Sequence, residues 1–96
     1  MSAGYEVRLS RAASRALAER LPVSVAAAVW EFLTGPLAEN PRRLGEGLSG
    51  QLAGYHSARR GSYRVVYSIT DFTDITDSPG VITVVRIDHR RDVYRR

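Results

Sequence analysis

The sequence predicts an α+β domain, in the order β-α-α-β-β-β, with an N-terminal helical hairpin packed on a small, mostly antiparallel twisted sheet. Three observations point to it. Tyr5-Glu6-Val7-Arg8-Leu9 alternates apolar and polar residues, the period of a half-buried strand. From Arg11 to Leu37 the apolar spacing becomes helical. Beyond residue 54 come runs dense in β-branched and aromatic residues, separated by Gly61-Ser62 and Pro79-Gly80.

Each element has a local reason. Ser10 stands where a helix cap belongs, ahead of a first helix over Arg11 to Leu21 in which Ala13, Ala16 and Leu17 share a face. Pro22 ends that helix, because an interior proline removes a donor and clashes with the preceding turn. A second helix starts at about Val23, with Val25, Val29, Trp30, Leu33 and Leu37 as its apolar set, and Gly35-Pro36 kinks it. The two helices form an antiparallel αα-hairpin. Asn40-Pro41 closes the helical region, and residues 42–54, with four glycines, form a crossing loop. Strands follow over Tyr55 to Arg59, Tyr63 to Ile69 and Val81 to Ile87. The last is apolar on both sides and therefore central. The acidic stretch ending at Pro79-Gly80 is a turn, and His89 to Arg96 forms a final short turn of helix.

Ninety-six residues make a single domain, residues 1–96, because cores divide only in longer chains. Hydrophobic residues at 44% and charged residues at 25% suit a soluble globule rather than a disordered chain. The longest apolar run, Val23 to Leu33, is broken by Ser24 and Glu31 and is too short to span a bilayer, so no membrane association is expected. Met1 to Tyr5 passes directly into a strand pattern and carries no secretory signal. Cysteine is absent, which removes disulfides and thiolate chemistry and agrees with a cytoplasmic location.

The charge is distinctive. All 14 basic residues are arginine, and the net charge is +4. An arginine fork matches phosphate oxygens and stays charged when partly desolvated. Eight arginines lie in residues 55–69 and 81–96 against only Asp88 and Asp92, whereas 70–80 holds Asp71, Asp74 and Asp77 and no base. Strand alternation then sorts the side chains. Tyr63, Val65, Tyr67 and Ile69 take one face, and Arg64 and Ser68 the other. With the helices on the apolar face, Arg64 projects from the open one, and Arg59 joins it if the hairpin register allows. Arg90 and Tyr94, just past the last strand, are placed to fold over the same surface. The sum is a phosphate site with a candidate proton acceptor and no metal or other cofactor. Singly, such arginines read as solvated side chains. Arg60 and Arg91 read as general electrostatics, and Tyr63 and Tyr67 as core. His56 and His89 have no Asp or Glu at ligand spacing, though His89 is a candidate acid because the imidazole group as a class can change charge near neutral pH.

The stretches Gly54-Tyr55-His56-Ser57-Ala58-Arg59-Arg60-Gly61-Ser62-Tyr63-Arg64-Val65-Val66-Tyr67 and Ile87-Asp88-His89-Arg90-Arg91-Asp92-Val93-Tyr94-Arg95 together resemble the paired hallmark of the RelE/ParE toxin superfamily. Asn40-Pro41-Arg42-Arg43-Leu44-Gly45 and the element order agree, so the resemblance spans nearly the whole chain. It implies the toxin of a type II toxin-antitoxin pair, an endoribonuclease that cuts mRNA in the ribosomal A site. It further implies that Arg64 stabilises charge on the scissile phosphate, that Arg90 acts on that phosphate or the leaving group, and that Tyr94 orients or deprotonates the attacking 2′-OH. Arg59 matches one of two basic positions on the preceding strand. The other falls on Ser57, a departure that thins the basic cluster. Arg60, Arg91 and His89 complete the RNA-binding set. The implied partners are a cognate RelB-like antitoxin and ribosome-bound mRNA. Two other readings stay open, a ParE-like inhibitor of DNA gyrase and a non-catalytic basic nucleic-acid-binding module.

Overall fold

A computed structural model describes residues 4–73 and 78–89. Strand β1 (Glu6–Leu9) leads into α1 (Arg11–Arg15), which continues as a π-helical turn over Ala16–Arg20. Then come α2 (Val23–Thr34), two short helices, α3 (Pro36–Glu39) and α4 (Pro41–Leu44), and a two-residue strand, β2 (Glu46–Gly47). A 3-10 turn (Gly50–Leu52) precedes β3 (Tyr55–Arg60), β4 (Tyr63–Asp71) and β5 (Gly80–His89). The strands form a five-stranded sheet in the order β1-β5-β4-β3-β2. Pairing is antiparallel throughout, except that β1 runs parallel to β5. The α+β architecture is the one expected, and β5 lies inside the sheet.

Several boundaries differ from expectation, each for a physical reason. The first helix does not stay α-helical to Leu21. Four residues after Ala16 an α-helix would put Arg20 on the buried face. The wider turn, closed by Leu21 N–H to the Ala16 carbonyl at 3.0 Å, passes that place to Leu21. Residues 42–54 are not a bare loop. Pro41 starts α4 at the first helical position, and Glu46–Gly47 pairs with Ser57 and His56 to add an edge strand. His89 belongs to β5 rather than to a final helical turn, because it pairs with Tyr63. The rest of that expected turn lies outside the described residues.

The helices cover one sheet face. Their buried residues, Ala13, Ala16, Val29, Phe32, Leu33 and Leu37, meet Ala58, Val65, Tyr67, Ile82, Val84 and Ile87 in one core. Trp30, expected inside, is 47% exposed. It continues the outer stripe of α2 with Val23 and Ala27, at i, i+4 and i+7, while Phe32 takes the inner place. Tyr67 is fully buried, and its hydroxyl donates to the Pro41 carbonyl at 2.6 Å, tying α4 to the middle of the sheet. At the sheet end Arg42 grips Asp71 through two bonds of 3.1 and 2.8 Å, and the Tyr5 hydroxyl donates to the same carboxylate. The Arg42 guanidinium, helped by Tyr5, holds the Asp71 carboxyl below the usual range, and the bond to that carboxylate raises the Tyr5 phenol. Among the described residues no helix is long and apolar enough to cross a membrane.

Candidate functional site

Register decides what stands on the uncovered face. In β3 and β4, Ser57 lies opposite Val66 and Arg59 directly opposite Arg64, so Ser57, Arg59 and Arg64 share the face away from the helices. Ala58 and Val65, the intervening pair, are buried in the core. Arg59 and Arg64 are exposed, and among the described residues neither forms an ion pair. Like charges facing across a strand pair destabilise a sheet. Two guanidiniums at this spacing therefore make a place where an anion is favoured.

A bulge brings in a third arginine. Between Val66 and Tyr67 the register against β5 slips, with Val66 opposite Arg86 and Tyr67 opposite Val84, leaving Val85 without a partner. Simple alternation from Ile82 and Val84 would aim Arg86 into the core. The extra residue turns Ile87 into the core instead and puts Arg86 on the open face, with Val66 as floor. The bulge has its own support. The Ser10 backbone N–H donates to the Val84 carbonyl at 2.9 Å, and the Ser10 hydroxyl donates to the Val85 carbonyl at 3.0 Å. That same oxygen accepts from the Ala13 N–H at 3.1 Å, capping α1. Sequence reading missed Arg86. The signal was present in the spacing of two apolar residues, Val84 and Ile87, which an unbulged strand would turn to opposite faces.

Asp88 faces Arg64 across the strands, and its carboxylate accepts from Arg86 Nε at 2.9 Å. The open face thus carries Arg59, Arg64 and Arg86 around one half-buried acid, with Ser57 beside them and Glu46 at the edge opposite Ser57. Two expected RNA-binding residues are placed elsewhere. Arg60 lies opposite Tyr63 on the helix-covered side, its guanidinium 4.6 Å above the Phe32 ring centre, where it lines a cleft of about 520 Å³ with α2. His89 is half-buried and pairs with Tyr63, on that same side by register. Arg90, Arg91 and Tyr94 lie outside the described residues. Among the described residues no cluster of three His, Cys, Asp or Glu side chains is placed to hold a metal.

The sheet is backed by helices on one side and carries Arg59, Arg64 and Arg86 on the other, and the chain has known relatives. Residues 7–94 match the model of a family described as the ParE toxin of the type II toxin-antitoxin system parDE. Toxin RelG of Mycobacterium tuberculosis is 44% identical over 92 residues, covering 96% of this chain and 98% of that protein. Toxin RelE of the same organism is 55% identical over 67 residues, 70% of this chain and 68% of its own length. Among solved structures, the toxin-antitoxin complex RelBE2 from M. tuberculosis contains a chain that superposes with a TM-score of 0.80 at 41% identity, covering 91% of this chain and 99% of that one. This chain belongs to the RelE/ParE superfamily and is a type II toxin-antitoxin toxin of the RelE family.

Proposed function

We propose that this toxin is a metal-independent endoribonuclease that cleaves mRNA in the ribosomal A site and is silenced by a cognate RelB-like antitoxin. The observation that carries the reading is the pair Arg59–Arg64, set face to face on the uncovered side of the sheet and, among the described residues, in no ion pair. Attack of a 2′-OH on the adjacent phosphate builds negative charge on phosphoryl oxygens. Fixed guanidinium donors stabilise that charge, and loss of one well-placed donor typically costs on the order of 100-fold in rate. In this scheme Arg64 binds the scissile phosphate, Arg59 and Ser57 hold the neighbouring backbone, and Arg90 joins Arg64 at the reacting centre. Tyr94 orients or deprotonates the nucleophile, Arg91 adds a backbone contact, and Arg60 strengthens the general field. The ribosome supplies the positioning that so small a domain lacks, which is the largest entropic part of such a reaction. Work on ribosomes places the toxin in the cytoplasm.

The partner follows from the same charge. A basic face with net charge +4 on the chain favours an acidic segment, and the RelBE2 relative is a toxin-antitoxin complex. Expression of Arg64→Ala and of Arg90→Ala, with primer-extension mapping of transcripts, tests the scheme. Each substitution should relieve growth arrest and abolish mRNA cuts while antitoxin co-purification persists. Undiminished toxicity in both sinks the nuclease reading. The gyrase alternative, raised by the ParE description of the matched family, predicts DNA damage without mRNA cuts in the same cells.

A further inference from the structure

We infer that Arg86 is a third phosphate-binding arginine, taking the RNA phosphate next to the one held by Arg64, with Asp88 aiming its guanidinium. This rests on reading the open sheet face as the RNA-phosphate site. The bulge at Val85 gives Arg86 the outward side that strand alternation would deny it. Arg64 is paired with Asp88, so Arg86 is its diagonal neighbour, at a backbone separation of about 7–8 Å. That separation lets two long side chains reach successive phosphates without competing for one. The carboxylate of Asp88 accepts the Nε–H of Arg86 at 2.9 Å. Among the described residues that is the one guanidinium N–H donor of the five that is engaged, so the two terminal nitrogens are available to phosphate oxygens. Asp88 is the more buried partner, its side chain 22% exposed against 69% for Arg86, so the acid is the fixed anchor and the arginine head the reaching part. Its negative charge also offsets the repulsion between Arg64 and Arg86, which would otherwise splay them apart.

The test is the salt dependence of binding of a fluorescein-labelled single-stranded RNA 12-mer to the purified toxin. Each phosphate contact on single-stranded nucleic acid contributes a slope of about 0.7 in log affinity against log salt. Arg86→Ala should lower the slope by that amount and Arg86→Lys should restore it, both measured at a temperature where circular dichroism shows each variant fully folded. Arg15→Ala, an exposed arginine on the helical side, should leave the slope as it is. If Arg64→Ala lowers the slope and Arg86→Ala does not, Arg86 makes no phosphate contact and this inference fails alone. If the wild-type toxin binds the RNA without any dependence on Arg64, the phosphate-site reading itself fails.

Discussion

The Ser10 hydroxyl donates to the Val85 carbonyl at 3.0 Å, joining the start of α1 to the bulge that turns Arg86 outward. One side chain thus serves as a helix cap and as the partner of a carbonyl that the bulge removed from the strand ladder. A position on the helical side thereby governs the geometry of the opposite face.

Replacing that hydroxyl should be felt on both sides of the sheet. Ser10→Ala loses the cap, worth about 1 kcal/mol, and leaves the Val85 carbonyl without its partner, a further cost of about 1 kcal/mol. Urea unfolding should show the combined loss as a lower midpoint at unchanged m-value. Ser10→Thr, which keeps the oxygen, should recover most of it.

Facing arginines at Arg59 and Arg64 imply a trade of stability for binding. Arg59→Gln should raise stability by roughly 0.2–1 kcal/mol, because it removes a like charge directly across the strand pair, and should weaken toxicity. Thermal melts and growth assays on the same variant check the two signs together. A variant that is both less stable and fully toxic contradicts the proposed role.

Gly45 is constrained by space rather than by backbone angle. A Cβ there would collide with the Tyr67 hydroxyl, which is held on the Pro41 carbonyl. Gly45→Ala should therefore destabilise by about 1–3 kcal/mol, the usual range for overpacking. In the Tyr67→Phe background the obstructing oxygen is gone, and the alanine should cost measurably less. The double-mutant cycle reads the coupling directly.

Burial pushes the Tyr67 phenol up to about 12 from its ordinary value of 10.0. A folded pKa above the unfolded one means the native state holds its proton where the unfolded chain has lost it. The stability this contributes is full below pH 10 and is lost as pH rises from 10 through 12. Ultraviolet titration of tyrosinate should show one phenol ionising near 12, absent in Tyr67→Phe. That variant should also show a flatter fall in stability across this window.

Arg64 was legible because Tyr63, Val65 and Tyr67 alternate cleanly and can bury only on the opposite side. Trp30 was misread since its spacing fits the buried stripe of α2 as well as the exposed one, and only the position of the sheet distinguishes them. Arg60 illustrates the same limit, being one residue from Arg59 in sequence and on the other face of the sheet in space.

Local chemistry, written in alternation, caps and proline positions, was enough to specify the α+β class, the helical hairpin and the three long strands. It also pointed to arginine as the candidate for phosphate contact, since a chain of 14 arginines and no lysine carries its charge in one kind of fork. Which arginines meet was settled by pairing between distant segments. The register of β3 on β4 sets Arg59 against Arg64, and one unpaired residue at Val85 sends Arg86 to join them. Strand side chains change face with every residue, so a slip of one position reverses them all. That choice belongs to the packing of the whole core and is absent from any single stretch of chain.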